Sequence, residues 1–415
     1  MAKDGSKVGM AHSLLANMDC LSNIANMKAV VLRTRLEKLV AERLSKYPVV
    51  AILGARQTGK THLAKKFASG VQNHFDLENS FQLQALEDNG LSILGSLEGT
   101  VVIDEVQELP SIFPALRVLA DREPTVARFV LSGSVSPKII QGISESLAGR
   151  VATIEIGGLD IDEVGADSWE RLWLRGGHPP SFLDDTDAGS MEWRANYLER
   201  LFGRDLRIWS NLSLHPSRSR KLLMIMADCT ARAWNHSAAA TILGVDVKTI
   251  QNYVEIMEAA YLVRLLPSFE ANIRKRLRKA PTLHLRDTGI AHAMLGIQTR
   301  ERLEIHPRVG QSWESFCVDQ IIRLTQTRPE HCFTFSVQSG SEIDLILDRP
   351  DGRHGFEIKF SENSRPNAGD RKLISTLELK SLHQVRRGAM SLDLGEGLFS
   401  TGIEELKNVC ANIRQ

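Results

Sequence analysis

Apolar runs alternate with amphipathic stretches over the first 160 residues of the chain. The runs Val49–Leu53, Val101–Ile103 and Phe129–Leu131 are rich in β-branched residues and predict buried strands, and Asn73–Glu78 predicts another. Apolar residues recur at helical spacing between these runs, and one such helix is expected over Ser80–Glu87. Strands that alternate with helices predict an α/β domain with a largely parallel sheet.

The pattern changes in the middle of the chain, where long helices are expected over Glu192–Trp209 and Ser217–Ala233. The stretch His236–Val254 is typical of a helix-turn-helix, with a short Ala-rich helix, a turn at Gly244 and a second amphipathic helix. Tyr261–Pro267 then has the pattern of a strand. These elements predict a helical region followed by a winged-helix module.

The C-terminal third combines a helix with alternating strands. Apolar residues from Trp313 to Leu324 predict the helix, and Ser341–Leu347 and Gly355–Phe360 predict two strands joined by a turn. This pattern predicts a small α/β domain. The expected division is an arm (1–27), an α/β core (28–160), a helical linker or lid (161–235), a winged helix-turn-helix (236–300), a small α/β domain (301–400) and a C-terminal tail (401–415).

Composition restricts the class of protein but not its partner. The 415 residues suffice for several domains, and the balance of Lys+Arg, 51, against Asp+Glu, 50, gives no information about partners, which only local charge clusters can indicate. The 5 cysteines include no Cys-x-x-Cys pair, which argues against a zinc ribbon or a disulfide framework. No apolar run has membrane-spanning length, and no signal-peptide pattern is present. We therefore expect a cytoplasmic protein with no membrane partner.

The first candidate site is a Walker A pattern, Gly-x-x-x-x-Gly-Lys-Thr, directly after the first apolar strand. Its glycines keep side chains out of a tight loop, so that backbone N–H groups can point at phosphate oxygens. Lys60 can reach the β- and γ-phosphates of ATP, and the Thr61 hydroxyl can bind Mg²⁺. The predicted nucleotide-binding residues are Gly54, Ala55, Arg56, Gln57, Thr58, Gly59, Lys60 and Thr61.

The strand Val101–Ile103 ends in two carboxylates, which matches a Walker B motif. Asp104 is predicted to complete the Mg²⁺ site, and Glu105 is predicted to be the general base that polarises the attacking water. An ordinary strand that ends in a charged turn is the alternative, and a position downstream of a Walker A loop favours the catalytic interpretation.

Three further residues are candidates for catalysis. Ser132 or Ser134, at the end of the next strand, can orient the attacking water in the position called sensor 1. The alternative is a turn rich in serine and glycine. Arg150 is a candidate arginine finger, and a helix cap is the alternative.

A basic cluster follows the predicted wing, and its residues are Arg274, Lys275, Arg276, Arg278 and Lys279. Lys and Arg supply sequence-independent affinity for nucleic acid phosphates, so DNA or RNA is a candidate partner. A winged-helix packing module with a solvated basic hairpin is the alternative.

The two C-terminal strands carry a second candidate metal site. In a hairpin, Asp344 and Glu357 can lie on one face and share a divalent metal, while Lys359 steadies a water or an oxyanion. This Asp…Glu-x-Lys pattern is typical of restriction-endonuclease-like folds, with Glu314 as an additional acid on the helix. Two amphipathic strands with a solvated charged face are the alternative.

The order of these motifs resembles the predicted AAA-type ATPases of bacteria and archaea that carry a C-terminal domain of unknown function. The resemblance covers about residues 28–400. It rests on Gly54–Thr61, Val101–Gln107, Leu131–Ser134, Leu147–Arg150, Gly176–Pro179, the helix-turn-helix, Arg286–Ala291, Trp313–Glu314, Glu342–Asp344 and Glu357–Lys359. It implies an AAA+ P-loop domain, a winged helix and a restriction-endonuclease-like domain.

The chain departs from the family pattern in two places. The arm 1–26 lies outside it, and Gly176–Pro180 ends in proline where Glu is more usual. We expect an ATPase that uses ATP and Mg²⁺ to drive or gate its C-terminal modules, with nucleic acid and a second copy of the chain as candidate partners. A non-catalytic ATP-dependent switch, an ATP-regulated metal-dependent nuclease and a DNA-binding regulator are the alternatives.

Overall fold

The computed structural model describes residues 31–134, 142–143, 145–206, 215–270, 279–336, 342–366 and 368–414. The chain divides into two units, residues 1–33 and residues 34–415, and every element below belongs to the second unit. The predicted arm 1–27 and the basic residues 274–278 lie outside the described residues. None of the helices in the described ranges has the length and apolar character that crossing a bilayer requires.

The N-terminal part is an α/β domain with a parallel sheet of five strands, in the order β2-β3-β4-β1-β5. Its strands are β1 (Val49–Gly54), β2 (His74–Asp76), β3 (Gly99–Asp104), β4 (Ala127–Ser134) and β5 (Val151–Ile156). Its helices are α1 (Thr34–Lys46), α2 (Lys60–Lys65), α3 (Ser80–Gly95) and α4 (Phe113–Ala120). The predicted fold class is confirmed.

The parallel sheet is buried on both faces. Every residue of β1 is buried, because the strand lies between β4 and β5 with helices on both sides. Helix α3 is longer than predicted, since it continues past Glu87 to Gly95. Non-helical φ/ψ angles at Asn89 break the apolar period there, and the buried Leu94 lies beyond the break. The sequence pattern therefore stopped where the helix kinks.

The middle of the chain is mostly helical, with a small antiparallel sheet in the order β6-β8-β7. The helices are α5 (Ile161–Val164), α6 (Trp169–Arg175), α7 (Pro179–Phe182), α8 (Asp187–Arg200), α9 (Pro216–Asp228), α10 (His236–Leu243), α11 (Val247–Ala259), α12 (Thr288–Met294) and α13 (Arg300–Glu304). The strands are β6 (Arg232–Ala233), β7 (Val263–Leu266) and β8 (Thr282–Leu285). Helix α8 begins at Asp187, before the expected start at Glu192, and continues as one π-helical turn, Leu201–Asp205; the end predicted at Trp209 lies outside the described residues.

The predicted helix pair is present as α10 and α11. Gly244 ends α10 with a φ of 63°, a left-handed conformation that glycine adopts at no steric cost. Asp246 begins α11, and its side chain accepts a hydrogen bond from the backbone N–H of Thr249 at 2.8 Å. A helix-turn-helix with an adjacent sheet is therefore observed, while DNA binding by a winged helix stays a prediction.

The C-terminal part is a mixed sheet of six strands, in the order β13-β14-β12-β11-β10-β9. Its elements are α14 (Val309–Thr325), β9 (Cys332–Ser336), β10 (Glu342–Arg349), β11 (Gly352–Ile358), α15 (Ala368–Leu377), β12 (Leu379–Arg386), β13 (Leu392–Asp393), β14 (Leu398–Gly402) and α16 (Leu406–Arg414). The boundary predicted at residue 400 is wrong, because β14 crosses it. Leu406 and Cys410 of α16 are fully buried, so the predicted tail belongs to the domain core.

Candidate functional site

The Walker A loop lies between β1 and α2, at the carboxyl edge of the parallel sheet. Lys60 is almost completely buried, and its Nζ donates a hydrogen bond to the Ala55 carbonyl at 2.7 Å. The Thr58 hydroxyl donates to the same carbonyl at 2.8 Å. These bonds close the loop around its own backbone and hold the Lys60 ammonium inside it.

The two glycines of the Walker A motif are required for different structural reasons. Gly59 has a φ of 89°, which L side chains rarely adopt, and it begins α2. Gly54 lies beside β5, and a Cβ there would stand 2.0 Å from the Ile156 carbonyl oxygen. The first glycine is thus required for strand packing rather than for the conformation of the loop.

Burial lowers the pKa of Lys60 to about 8, and the nearby carboxylates of Glu105 and Asp104 oppose this effect. Both carboxylates are therefore within electrostatic range of the Walker A ammonium. Asp104 ends β3, is 2% exposed and accepts a hydrogen bond from the Ser132 hydroxyl. Strand β4 lies between β3 and β1, which explains how Ser132 meets Asp104.

Glu105 follows Asp104 with a φ of 53°, a left-handed conformation that turns its side chain out of the strand direction. The Gln107 amide donates a hydrogen bond to the Glu105 carboxylate. Burial raises the pKa of Glu105, while the Gln107 hydrogen bond and the Lys60 charge lower it. A carboxylate with a raised pKa, held beside a cationic phosphate loop, has the properties of a general base.

The remaining loop residues occupy more exposed positions. Arg56 forms an ion pair with Glu78 at 3.7 Å. The Gln57 side chain accepts a hydrogen bond from Arg200 at 3.4 Å. Thr61 is half-buried in the first turn of α2. The side chain of Ser134 lies outside the described part of the structure, so the choice between Ser132 and Ser134 rests on the contact that Ser132 makes.

Arg150 lies away from this site in its own chain. Its backbone carbonyl accepts a hydrogen bond from Val49 N–H, at the amino end of β1, whereas the Walker A loop follows the carboxyl end. A strand of this length separates the two ends by roughly 17 Å. The guanidinium instead forms two hydrogen bonds with the Asp121 carboxylate. Arg150 is therefore not a residue of its own nucleotide site, and a contribution to the site of a second copy stays a prediction.

The second predicted site lies in the hairpin of β10 and β11. Leu345 pairs with Phe356 in the antiparallel register. The residue before Leu345, Asp344, and the residue after Phe356, Glu357, therefore face each other across the hairpin. Asp344 also accepts a hydrogen bond from Ile358 N–H at 2.6 Å, and Lys359 donates to Glu357. The hairpin thus brings the predicted Asp, Glu and Lys together.

Two further acids complete the carboxylate cluster, which comprises Glu314, Glu342, Asp344 and Glu357. One ligand oxygen each from Glu342, Asp344 and Glu357 lies within 4.8 Å of the other two. Burial raises the pKa of Asp344 to about 6 and that of Glu357 to about 8, and the Asp344 charge adds to the shift of Glu357. Burial and the Asp344 charge also raise the pKa of Glu314. This electrostatic strain is what a divalent cation would relieve.

Among the predicted nucleic acid contacts, Lys279 alone lies in the described ranges. Its ammonium forms an ion pair with Glu270 at 2.7 Å and donates to the Ser336 carbonyl at 3.0 Å. The other four basic residues lie outside the described residues, and their role stays a prediction.

Sequence reasoning did not assign Gln107 and Glu342. Gln107 lies two residues after Glu105. Its hydrogen bond to the Glu105 carboxylate depends on the left-handed backbone conformation of Glu105, which the sequence does not indicate. Glu342 alternates with Asp344 in the strand pattern, so that alternation was a signal for the same face.

The chain is similar to known proteins over most of its length. A family model described as an AAA domain matches residues 46–165. Two models described as domains of unknown function match residues 166–301 (DUF8612) and residues 309–406 (DUF4143). The uncharacterized proteins Mb2031c of Mycobacterium bovis and Rv2008c of Mycobacterium tuberculosis are each 35% identical to the chain over 364 residues, 88% of this chain and 82% of the relative.

Solved structures give more distant matches. The Walker-type ATPase PABY2304 of Pyrococcus abyssi aligns at 16% identity with a TM-score of 0.41, over 65% of this chain and 97% of that chain. A DNA replication initiation factor aligns at 16% identity with a TM-score of 0.26, over 70% of this chain and 96% of that chain. On the family models and the mycobacterial relatives, the chain belongs to the family of AAA-type ATPases with additional C-terminal domains of unknown function.

Proposed function

We propose that this chain binds Mg²⁺-ATP in the Walker A loop and hydrolyses it, and that turnover drives or gates the C-terminal domains. The observation that carries the proposal is the position of Lys60, a buried cation within electrostatic range of both Walker B carboxylates. Such an arrangement suits an anionic ligand with a bound cation, because the ammonium and the two acids can then be neutralised together.

Each residue of the site would have a separate role in phosphoryl transfer. Lys60 and the loop N–H groups would bind the phosphates, and the Thr61 hydroxyl and Asp104 would hold Mg²⁺, which neutralises phosphate charge when bound. Ser132 fixes the Asp104 carboxylate by hydrogen bonding. Glu105 would accept the proton of the attacking water, with Gln107 orienting its carboxylate.

The test is Mg²⁺-dependent ATP hydrolysis by the full chain, with and without DNA. Lys60→Ala should abolish ATP binding. Glu105→Gln should bind ATP but turn over at least about 100-fold more slowly, the usual effect of losing a general base. Glu108→Gln, at an exposed position in the same turn, is the matched control. Normal turnover by Glu105→Gln would exclude Glu105 as the base. ATP binding without turnover by the parent protein would favour a nucleotide switch.

DNA in this assay distinguishes the possible targets. Turnover that DNA stimulates would support action on nucleic acid. Turnover that is indifferent to DNA would favour a protein target for the C-terminal domains.

The carboxylate cluster supports a second candidate function, divalent-metal-dependent cleavage of nucleic acid phosphodiesters. The supporting observation is Glu357, which is 8% exposed and whose Oε2 is buried without a partner among the described residues. A buried carboxylate oxygen without a hydrogen-bond partner, on a residue grouped with two other acids, is suited to metal coordination. Lys359 would stabilise negative charge at the reacting phosphate.

Asp344→Asn should remove any Mn²⁺- or Mg²⁺-dependent cleavage of DNA while leaving ATP hydrolysis intact. Asp348→Asn, on the same strand but outside the cluster, serves as the control. Cleavage that survives Asp344→Asn would exclude the cluster as its origin, and the absence of cleavage by the parent protein would leave the ATPase proposal untouched.

A further inference from the structure

The carboxylate cluster has a polar neighbour on the next strand of the C-terminal sheet. Gln384 on β12 is the register partner of Glu357 on β11, and Asp344 on β10 faces Glu357 from the other side. Register partners point to the same face of a sheet, and neighbouring strands lie about 4.8 Å apart. The side chains of Asp344, Glu357 and Gln384 therefore form one row across three strands.

A side-chain contact next to this row confirms the register. Phe356 and His383 are the register partners one position earlier on β11 and β12, and their rings are stacked with centroids 5.3 Å apart. That pair therefore lies on a single face of the sheet. Because side chains alternate along a strand, Glu357 and Gln384 both point to the opposite face.

Gln384 brings an oxygen without a partner to the face of the acids. The residue is 3% exposed, and its Oε1 is buried with no hydrogen-bond partner among the described residues. Oε2 of the adjacent Glu357 is buried without a partner in the same way, while Lys359 donates a hydrogen bond to Oε1 of that carboxylate. A carboxylate and an amide carbonyl are both acceptors, so neither can satisfy the other. A bound cation would satisfy both oxygens at once.

The chemistry of these side chains favours a hard divalent cation. One ligand oxygen each from Glu342, Asp344 and Glu357 lies within 4.8 Å of the other two. Three carboxylates and an amide carbonyl form an all-oxygen set, which suits Mg²⁺, Mn²⁺ or Ca²⁺ better than Zn²⁺. The three acids already exceed the charge of a divalent cation. A neutral amide adds a ligand without adding negative charge, which would otherwise repel an anionic substrate.

We propose that the Gln384 amide oxygen is a fourth protein ligand of a divalent cation held by Glu342, Asp344 and Glu357. The site then extends over the three strands β10, β11 and β12. This inference rests on cation binding by the carboxylate cluster, and it does not require that the bound cation supports cleavage of nucleic acid.

The test is Mn²⁺ binding by the full chain without nucleotide, measured by isothermal titration calorimetry. Binding that Asp344→Asn removes belongs to the cluster. Gln384→Met keeps the length of the side chain but lacks the oxygen, and it should weaken this binding at least about tenfold, the effect that loss of an outer-shell partner can already have. Ser400→Ala is the matched control, because Ser400 is the register partner of Gln384 on the far side from the acids. It should bind Mn²⁺ like the parent protein.

Gln384→His distinguishes a ligand from a mere neighbour of the cation. An imidazole at this position would place a nitrogen on the cation, and pulsed electron paramagnetic resonance of bound Mn²⁺ detects a directly coordinated nitrogen. Imidazole also suits Zn²⁺ and other later transition metals, so the affinity for Zn²⁺ relative to Mg²⁺ should rise. This variant decides the question should Gln384→Met not fold.

The outcomes separate this inference from the candidate nuclease function. Parent-like Mn²⁺ affinity of Gln384→Met, or bound Mn²⁺ without nitrogen coordination in Gln384→His, would overturn the role of Gln384 and leave a site of carboxylates alone. A parent protein that binds no Mn²⁺ at the cluster would overturn the cation site as a whole. Absence of DNA cleavage counts only against the nuclease function, because neither readout depends on cleavage.

Discussion

The hydroxyl of Ser132 on β4 donates a hydrogen bond to the carboxylate of Asp104 on the neighbouring strand β3. Both side chains are buried: Ser132 is completely inaccessible to solvent, and Asp104 is 2% exposed. The Glu105 N–H donates to the same Asp104 oxygen at 3.1 Å. These donors orient a carboxylate that would otherwise be free to rotate, and they connect it to the predicted base.

Ser132→Ala should therefore impair turnover more than Ser134→Ala. Removing a donor from a buried carboxylate costs about 1–3 kcal/mol, which corresponds to a roughly five- to hundredfold loss in kcat or in Mg²⁺ affinity. The measurement is ATP hydrolysis as a function of Mg²⁺ concentration. The opposite order of the two serine variants would identify Ser134 as the residue that orients the water.

Lys60→Met should raise the thermal stability of the nucleotide-free protein and eliminate stabilisation by ATP. The drop in the pKa of Lys60 from 10.5 to about 8 corresponds to an unfavourable burial on the order of 3 kcal/mol. The unfolded chain keeps this proton up to about pH 10, so the penalty is present at neutral pH and is relieved between about pH 8 and pH 10. Differential scanning calorimetry with and without ATP tests both effects, and an unchanged melting temperature without ATP would contradict the first.

Each of three buried histidines should make a destabilising contribution to the fold as the pH falls below about 6.5. Burial lowers the pKa of His284 to about 3 and the pKa values of His292 and His383 to about 4. The unfolded state binds these protons near pH 6.5 and the folded state does not, so stability falls as the pH falls from 6.5 towards 4. Each histidine contributes on the order of 3 kcal/mol to that loss.

Urea unfolding at pH 5 and pH 7 measures this effect. On going from pH 7 to pH 5, His383→Gln should lose less stability, or gain more, than the parent protein, because it removes one group whose pKa burial lowers. A variant as acid-sensitive as the parent would show that His383 does not contribute.

Two glycine-to-alanine substitutions should have opposite effects. A Cβ on Gly289 would stand 2.1 Å from the Arg175 carbonyl oxygen, so Gly289→Ala must push α12 away from the segment that carries His178. The expected loss is about 1–3 kcal/mol of unfolding free energy. Gly310 in α14 has no heavy atom within 4 Å of its Cβ position, and Gly310→Ala should stabilise by about 0.4–1 kcal/mol. Chemical unfolding of both variants tests the pair, and comparable stabilities would refute the packing argument.

Much of the fold and the core of the nucleotide site could be predicted from the sequence. Apolar runs predicted the strands β1, β3 and β4, and motif spacing predicted the Walker A loop and the Walker B acids. Both signals are local, because they depend only on residues that are close together in the sequence. The hairpin face shared by Asp344 and Glu357 also followed from the alternation of side chains in strands. Local periodicity and short-range spacing determined these features.

Only the tertiary structure decided which distant residues meet. The contact of Ser132 with Asp104 depends on the order of strands in the sheet, and the distance of Arg150 from the loop depends on the end of β1 that it joins. The hydrogen bond from the Arg200 guanidinium to the Gln57 side chain requires a fold that brings α8 back onto the Walker A loop. Such contacts join residues far apart in the chain, and no sequence period encodes them, because they arise from the packing of whole elements.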